Sequence, residues 1–505
     1  MKNQLRSGVI LSYLNLGISF LIPLFYTPLM LDMLGQAEYG LYSLSNSIIS
    51  YLSLLSFGFG TTIVRYIAKY RAEGNRKAEE ETFGFFLLLY SLLGLLVMTG
   101  GAVLSFSAGG IFAKGLTDTE IGKMRILVLI MAFNTALSFP LSVFSSMAIA
   151  HERYFFRKIM DMVSTVAAPL ANLVALYLGF ASVGMALAAT IVQLALAPIS
   201  VGYCFRELKL RPRFVRMPGP LVREMLGFSV FIFISTLVDM LFWATDKVIL
   251  GMLASTVAVA VYNVGGTFNN IVMQLSTSIS GVLVPRITGM VATRPRSEWS
   301  ELFIRVGRLQ FLIIALILTG FTVFGHAFID LWAGPSYADA YWVAILTLYP
   351  LCVPLIQSTA KSFVIAQNKH QFRSIVYLII AIANVISTYL IVPYMGIIGA
   401  ALCSCVSYLL GQGIIMNIYY YKVTGLDIPR FWGNILRMAI IPGLMLVAGL
   451  FVLERVTLNS WLTFFVGVMI YSGIYALLMY RFVMNDYEKD IIRKPVQKVL
   501  GRFRG

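Results

Sequence analysis

Residues 149–158 read IAHERYFFRK and residues 365–374 read IAQNKHQFRS. Each decapeptide ends one apolar run and opens the next, so each marks the polar turn of a helix pair. The two align without a gap, with Ile149-Ala150 falling on Ile365-Ala366 and Phe156-Arg157 on Phe372-Arg373. The match continues downstream, where Gly184-x-Ala186-Leu187 falls on Gly399-x-Ala401-Leu402. Upstream, MLGQAEYGLYSL from Met33 echoes MLASTVAVAVYNV from Met252, and Val64-Arg65 lies opposite Pro285-Arg286. A pattern that returns after roughly 215 to 220 residues in a membrane chain is how transporters build two bundles that rock about a central site.

That the chain is a membrane protein follows from composition. Hydrophobic residues make up 59% of the 505 residues and charged residues 12%, with a mean hydropathy of +0.82. Soluble domains carry about 25% charged residues. Apolar runs of about 20 residues, each long enough to cross a hydrocarbon core, recur along the whole chain. The expectation is an all-α polytopic protein of about 14 transmembrane helices: two pseudo-symmetric six-helix lobes and a C-terminal helical pair. The lobes are expected at 1–220 and 221–420, joined by the basic, proline-bearing stretch RELKLRPRFVRMPGPLVRE. Residues 421–505 lie outside the repeat and are read as two further spans with a basic tail. Six spans per lobe start both lobes on the same side, which places the symmetry axis along the membrane normal.

Lys and Arg placement sets the orientation. With the N-terminus cytoplasmic, about 33 of the 39 basic residues fall in inward loops, and a shift of one span would scramble this segregation. Both termini are therefore expected in the cytoplasm. The net charge of +16 is this topological signal, spread over short loops that face anionic lipid, and nucleic acid is not an expected partner. The first span is too long for a signal-peptide core and is expected to stay uncleaved.

Catalytic signatures do not occur. The chain lacks a GxxxxGK[ST] phosphate loop, and its three histidines, His151, His326 and His370, lack metal-ligand spacing. No cofactor or metal is expected, and the chain is not read as an enzyme. A membrane-embedded glycosyltransferase or polymerase would need an acidic outward loop. The longest outward loops, SAGGIFAKGLTDTEIGK (107–123) and AGPSYADA (333–340), are too short to house one. Cys204, Cys352, Cys403 and Cys405 lie in or at the ends of spans and read as packing residues.

Charge at membrane depth is costly and marks function by default. Asp239, two-thirds of the way across its span, is too short to snorkel and is a candidate for ion coupling or ion pairing. Lys361, near the inner end of the tenth span, either snorkels or meets substrate. Arg65 and Arg286 occupy matched inner ends; they serve as anchors or offer guanidinium forks to a phosphate. Asp161 has Arg157 one turn before it, the spacing of a helix ion pair, and is a second coupling or pairing candidate. Asp246-Lys247 reads as an interface anchor at the outer end of the seventh span. Pro23 and Pro28 remove backbone hydrogen bonds from the first span and are candidates for a gate.

The stretch LGQAEYGLYSLSNSIISYLSLLSFGFGTTIVRYIAKY (34–70) resembles the opening of polysaccharide-export flippases of the multidrug/oligosaccharidyl-lipid/polysaccharide exporter superfamily. So does TDKVILGMLASTVAVAVYNVG (245–265), with its Asp-basic pair, a Gly and then a Tyr in the next helix. The resemblance runs in order along nearly the whole chain. It implies two six-helix lobes around a cationic cavity and alternating access. The implied cargo is an undecaprenyl-diphosphate-linked oligosaccharide, moved from the inner to the outer leaflet of the bacterial cytoplasmic membrane. Under it, Arg65, Arg286 and Lys361 contact the diphosphate and Asp239 couples or pairs. A proton or sodium gradient would drive the cycle, with membrane lipid and other polysaccharide-assembly proteins as partners. The alternatives are a lipid II flippase, although the first span lacks the Arg-Asp pair of that branch, and a cation-coupled multidrug antiporter.

Overall fold

The computed structural model describes residues 2–215, 219–281, 283–456, 458–491 and 493. They form helices joined by short turns, with no strand among the described residues. In chain order these are α1 (Lys2–Ser53), α2 (Phe59–Ala72), α3 (Arg76–Ile111), α4 (Asp118–Ala150), α5 (Tyr154–Tyr177) and α6 (Ala181–Arg206). Then come α7 (Gly219–Trp243), α8 (Thr245–Leu253), α9 (Thr256–Gly281), α10 (Val284–Thr293), α11 (Arg296–Trp332), α12 (Ala340–Ile356) and α13 (Ser358–Ala366). The chain ends with α14 (His370–Tyr408), the short α15 (Met416–Tyr419), α16 (Ile428–Leu453) and α17 (Trp461–Leu478).

Among the described residues nine helices are long and apolar enough to cross a membrane, or eleven if each of two bent pairs counts as one span. The protein is thus an all-α polytopic membrane protein, while the expected fourteen is not reached by this measure. Part of the difference lies in two long runs, 17–72 and 371–424, that are each counted once and each cover two expected spans. Gly35 (φ 71°) and Gly396 (φ 53°) break α1 and α14 between those spans. Both sit in the left-handed region, where glycine meets no Cβ penalty.

The repeat reappears as backbone geometry. At the end of α4, Glu152 has φ 58°; Glu152 N–H donates to Ile149 O (2.9 Å) and Arg153 N–H to Ala148 O (2.9 Å). At the end of α13, Asn368 has φ 57°; Asn368 N–H donates to Ile365 O (2.9 Å) and Lys369 N–H to Val364 O (3.0 Å). Both are Schellman caps, which satisfy the last carbonyls of a helix through a left-handed residue. Just beyond each cap an aromatic pair stacks: Phe156 on Tyr203 (3.7 Å between centroids) and Phe372 on Tyr419 (4.5 Å). Ala181 (φ 48°) and Gly396 (φ 53°), matched by the same alignment, are both left-handed.

The chain divides into two compact units. Unit 1 comprises residues 1–263 and 385–400, and unit 2 comprises 264–384 and 401–505. These limits fall inside α9 and α14 and are of a different kind from the repeat boundaries at 220 and 420, which stay an expectation.

In unit 1 the most extensive pairing is α3 with α4. It depends on small residues: a Cβ on Gly94 would lie 2.6 Å from Ala136 O, and one on Gly101 would lie 2.2 Å from Ala132 Cβ. Lipid is as apolar as leucine, so helices in a bilayer are held by such close contact rather than by hydrophobic exclusion. An aromatic core of Phe59, Phe83, Phe86, Tyr90, Phe139 and Phe144 fills the basic end of the unit. Glu79 meets His151 there at 2.8 Å, and Glu80 meets Arg213 at 2.8 Å.

Unit 2 is organised on α11, whose longest partner is α16. Phe303 stacks on Phe431 (4.5 Å), and Arg308 makes two bonds to Glu488, at 2.6 and 2.9 Å, from an almost fully buried position. The C-terminal helices, expected as an addition outside the repeat, are thus built into the packing of this unit.

Candidate functional site

Three helical stripes in unit 1 converge on one cavity. In α1 the residues Tyr39, Tyr42, Ser43, Asn46, Ser47 and Ser50 recur at three- and four-residue steps and share one face. One turn before Gly35, Tyr26 and Met30 extend the same wall. In α7 and α8, Thr236, Asp239, Met240, Trp243, Ala244 and Lys247 repeat the same steps. Asn172 of α5, Met185 of α6 and Asn263 of α9 complete a cavity of about 600 Å³, within the range of about 300–1,000 Å³ usual for small-molecule sites.

The polar groups are ordered by bonds among themselves. Asn172 Nδ2 donates to Tyr26 Oη at 3.1 Å, and Asn263 Nδ2 donates to Tyr39 Oη at 2.6 Å. Lys247 Nζ donates to Asn263 Oδ1 at 3.1 Å, which links the ammonium through the amide to the phenol. Ser47 Oγ donates to Ser43 O (3.0 Å) and Ser50 Oγ to Ser47 O (2.6 Å), so these hydroxyls are held by their own helix. Asp246 lies behind this wall at 0% exposure. It accepts from Tyr262 Oη at 2.5 Å and from Thr388 Oγ1 at 3.4 Å.

The expected site residues are distributed as follows. Asp239 lines the cavity. Asp161 does not; it is paired with Arg157 at 2.8 Å and Lys158 at 3.9 Å, within α5. Arg65 is exposed on α2, its guanidinium 6.0 Å from the Tyr66 ring centre, and is not among the described residues that line the cavity. Arg286 on α10 and Lys361 on α13 are exposed in unit 2. Arg65 and Arg286 do share a setting, each on a short helix that follows a break in a longer one. Pro23 and Pro28 are half-buried inside α1, whose backbone stays helical through both and breaks at Gly35 instead.

The reading of Asp246-Lys247 as an interface anchor is corrected. Asp246 is buried and Lys247 lines the cavity, because α8 continues the chain to Leu253 beyond the point where hydropathy placed the span's end. The aromatic residues Tyr26, Tyr39, Tyr42 and Trp243 were not singled out by sequence. The signal that finds them is the helical period of polar and aromatic residues within an apolar run.

Among solved structures, the fold is similar to that of the lipid II flippase MurJ in its inward closed conformation. The TM-score is 0.73 at 14% identity, covering 94% of this chain and 99% of that one. An inward-facing multidrug resistance transporter of the MATE family gives 0.61 at 13% identity, covering 81% and 99%. At these identities the likeness is one of fold. The Bacillus subtilis membrane protein EpsK is 21% identical over 497 residues, 96% of each chain. Residues 5–291 match the family model described as polysaccharide biosynthesis protein, which is more than half of the chain. With its many apolar helices, the chain belongs to the polysaccharide biosynthesis protein family of multi-pass membrane proteins.

Proposed function

We propose that this protein is a flippase that carries an undecaprenyl-diphosphate-linked oligosaccharide from the inner to the outer leaflet of the bacterial cytoplasmic membrane. Alternating access is the proposed route, and surface polysaccharide export the purpose. One observation carries the reading. In a chain built largely of helices apolar enough to span a bilayer, tyrosine, serine and asparagine side chains of α1, α5 and α9, with Asp239 and Lys247 from α7 and α8, line one cavity of about 600 Å³. Placing such groups at membrane depth costs about 2.5–3.5 kcal/mol per charge on insertion scales, so their presence needs a hydrophilic cargo. Membership of a polysaccharide biosynthesis family and the fold of a lipid II flippase support that choice of cargo.

In this reading the glycan enters the cavity and the prenyl chain stays in lipid. Arg65, Arg286 and Lys361 are the proposed diphosphate contacts, each an exposed cation on α2, α10 or α13. Asp239 is proposed to respond to a proton or sodium gradient. The protein's role is transport rather than bond chemistry.

The deciding experiment is leaflet translocation of a lipid-linked oligosaccharide by the reconstituted protein. Arg65→Ala, Arg286→Ala and Lys361→Ala are each expected to slow it by about tenfold or more, the loss of a charge-assisted hydrogen bond. Absence of translocation by the folded protein overturns the proposal. A cation-coupled multidrug antiporter is the second reading, favoured by one carboxylate beside an aromatic wall (Asp239 and Trp243). It predicts drug sensitivity on deletion with unchanged surface glycan.

A further inference from the structure

The cavity wall of unit 1 uses one device twice. Tyr26 is paired with Asn172 and Tyr39 with Asn263. In both pairs the amide N–H occupies a lone pair of the phenol oxygen, and the phenol keeps its own hydrogen to donate. The amide carbonyls differ. That of Asn263 receives Lys247, whereas Asn172 Oδ1 has no hydrogen-bond partner although the side chain is only 7% exposed. That oxygen has no accessible surface in this conformation, so the polar groups this part of the wall turns to a ligand are the phenol hydroxyls.

The combination selects a chemistry. A sugar hydroxyl is donor and acceptor at once, and an acetamido group sets an N–H beside a C=O. Either one accepts from a phenol O–H through its own oxygen. The tyrosine rings and Trp243 add flat apolar faces with polar rims, the surface that the C–H face of a pyranose covers. Charge selects in the same direction. Among the described residues that line the cavity there is one carboxylate, Asp239, and one ammonium, Lys247, and the ammonium is engaged by Asn263. A phosphate or uronate site gathers arginines and lysines in excess, and an amine site gathers acids.

We infer that this wall is a subsite for uncharged sugar rings, hydroxylated or N-acetylated. The glycan is therefore uncharged where it faces unit 1, and the diphosphate is held away from this wall. The inference rests on the flippase reading for the natural cargo, but its chemistry is testable without it.

The test is calorimetric titration of the full-length protein in lipid nanodiscs with four probes. They are N,N′-diacetylchitobiose, its deacetylated cationic form, a uronic-acid disaccharide and inorganic diphosphate. The neutral disaccharide is expected to bind at least about tenfold more tightly than the charged three, since none of these gains net attraction from a balanced wall. Tyr26→Phe and Tyr39→Phe should each weaken it about three- to tenfold, the worth of one neutral hydrogen bond. An unchanged thermal transition in the same nanodiscs shows that each variant is folded. Equal or tighter binding of the uronate or of diphosphate overturns the inference. So does saturable binding of none of the probes, or an unchanged affinity in both folded variants. The transport reading fails separately: unchanged surface glycan in a deletion strain, with neutral-sugar binding intact, sinks the flippase and leaves the subsite standing.

Discussion

Asp246 shows how one carboxylate fixes the wall behind the cavity. It is fully buried and carries hydrogen bonds from Tyr262 and Thr388, so its oxygens are satisfied in a region where unpaired polar atoms are costly. Removing one side of such a pair strands the other. Asp246→Ala is expected to destabilise the folded protein by about 2–4 kcal/mol, the cost of unpaired donors and a lost charged contact. Asp246→Asn, which keeps an acceptor, should cost less than half of that. Thermal unfolding in detergent measures both, and equal, negligible shifts would show that the bonds contribute nothing. The neighbouring Lys247 was legible as a charge but not as a site residue. Hydropathy ends the seventh span near residue 246, whereas the helical chain continues through α8 and turns the ammonium to Asn263. Asp239 was legible because a short acidic side chain deep in an apolar run has no bland exit to water.

The duplicated turns make a prediction at the scale of elements. Ala181 and Gly396 hold matched left-handed positions, yet only one of them is glycine. A left-handed alanine costs about 1–2 kcal/mol, partly offset in glycine by its larger entropy loss on folding. Ala181→Gly is therefore expected to stabilise by about 0.5–1 kcal/mol, and Gly396→Ala to destabilise by about 1–2 kcal/mol. Equilibrium unfolding of both variants checks the opposite signs; the same sign for both would mean that the two turns are not equivalent. Gly94 has no comparable freedom, because its missing side chain admits Ala136 O of α4. The repeat was legible down to these turns because each left-handed cap needs particular residues at fixed offsets. Two span boundaries were legible as well: where hydropathy sees two apolar runs, the backbone breaks between them at Gly35 and at Gly396.

At the scale of the whole chain, a buried ion pair ties the C-terminal segment to α11 within unit 2. Arg308 meets Glu488 at 2.6 Å and also donates to Val483 O (3.1 Å) and Asn434 Oδ1 (3.2 Å). Breaking a buried pair from one side leaves a charge without compensation, so Arg308→Ala or Glu488→Ala should each cost about 3–5 kcal/mol. The double variant Arg308→Met with Glu488→Leu should recover most of this, since apolar replacement of both partners is often neutral. A double-mutant cycle on detergent unfolding decides; additive losses would mean that the two residues act independently. By itself the sequence determined the fold class, the duplication and the presence of charge in apolar runs. Each of these is a property of local hydropathy and of residue spacing along one chain, which neighbours do not alter. The tertiary structure alone decided that Tyr26, Tyr39, Tyr42, Asn172 and Asn263 share a cavity with Asp239 and Lys247. The pair of Asp161 with Arg157, by contrast, was already written in their four-residue spacing on one helix. The physical reason is that a polar stripe looks the same in sequence whether it faces a partner helix, lipid headgroups or a cavity. Only the packing of α1, α5, α7, α8 and α9 chooses among them.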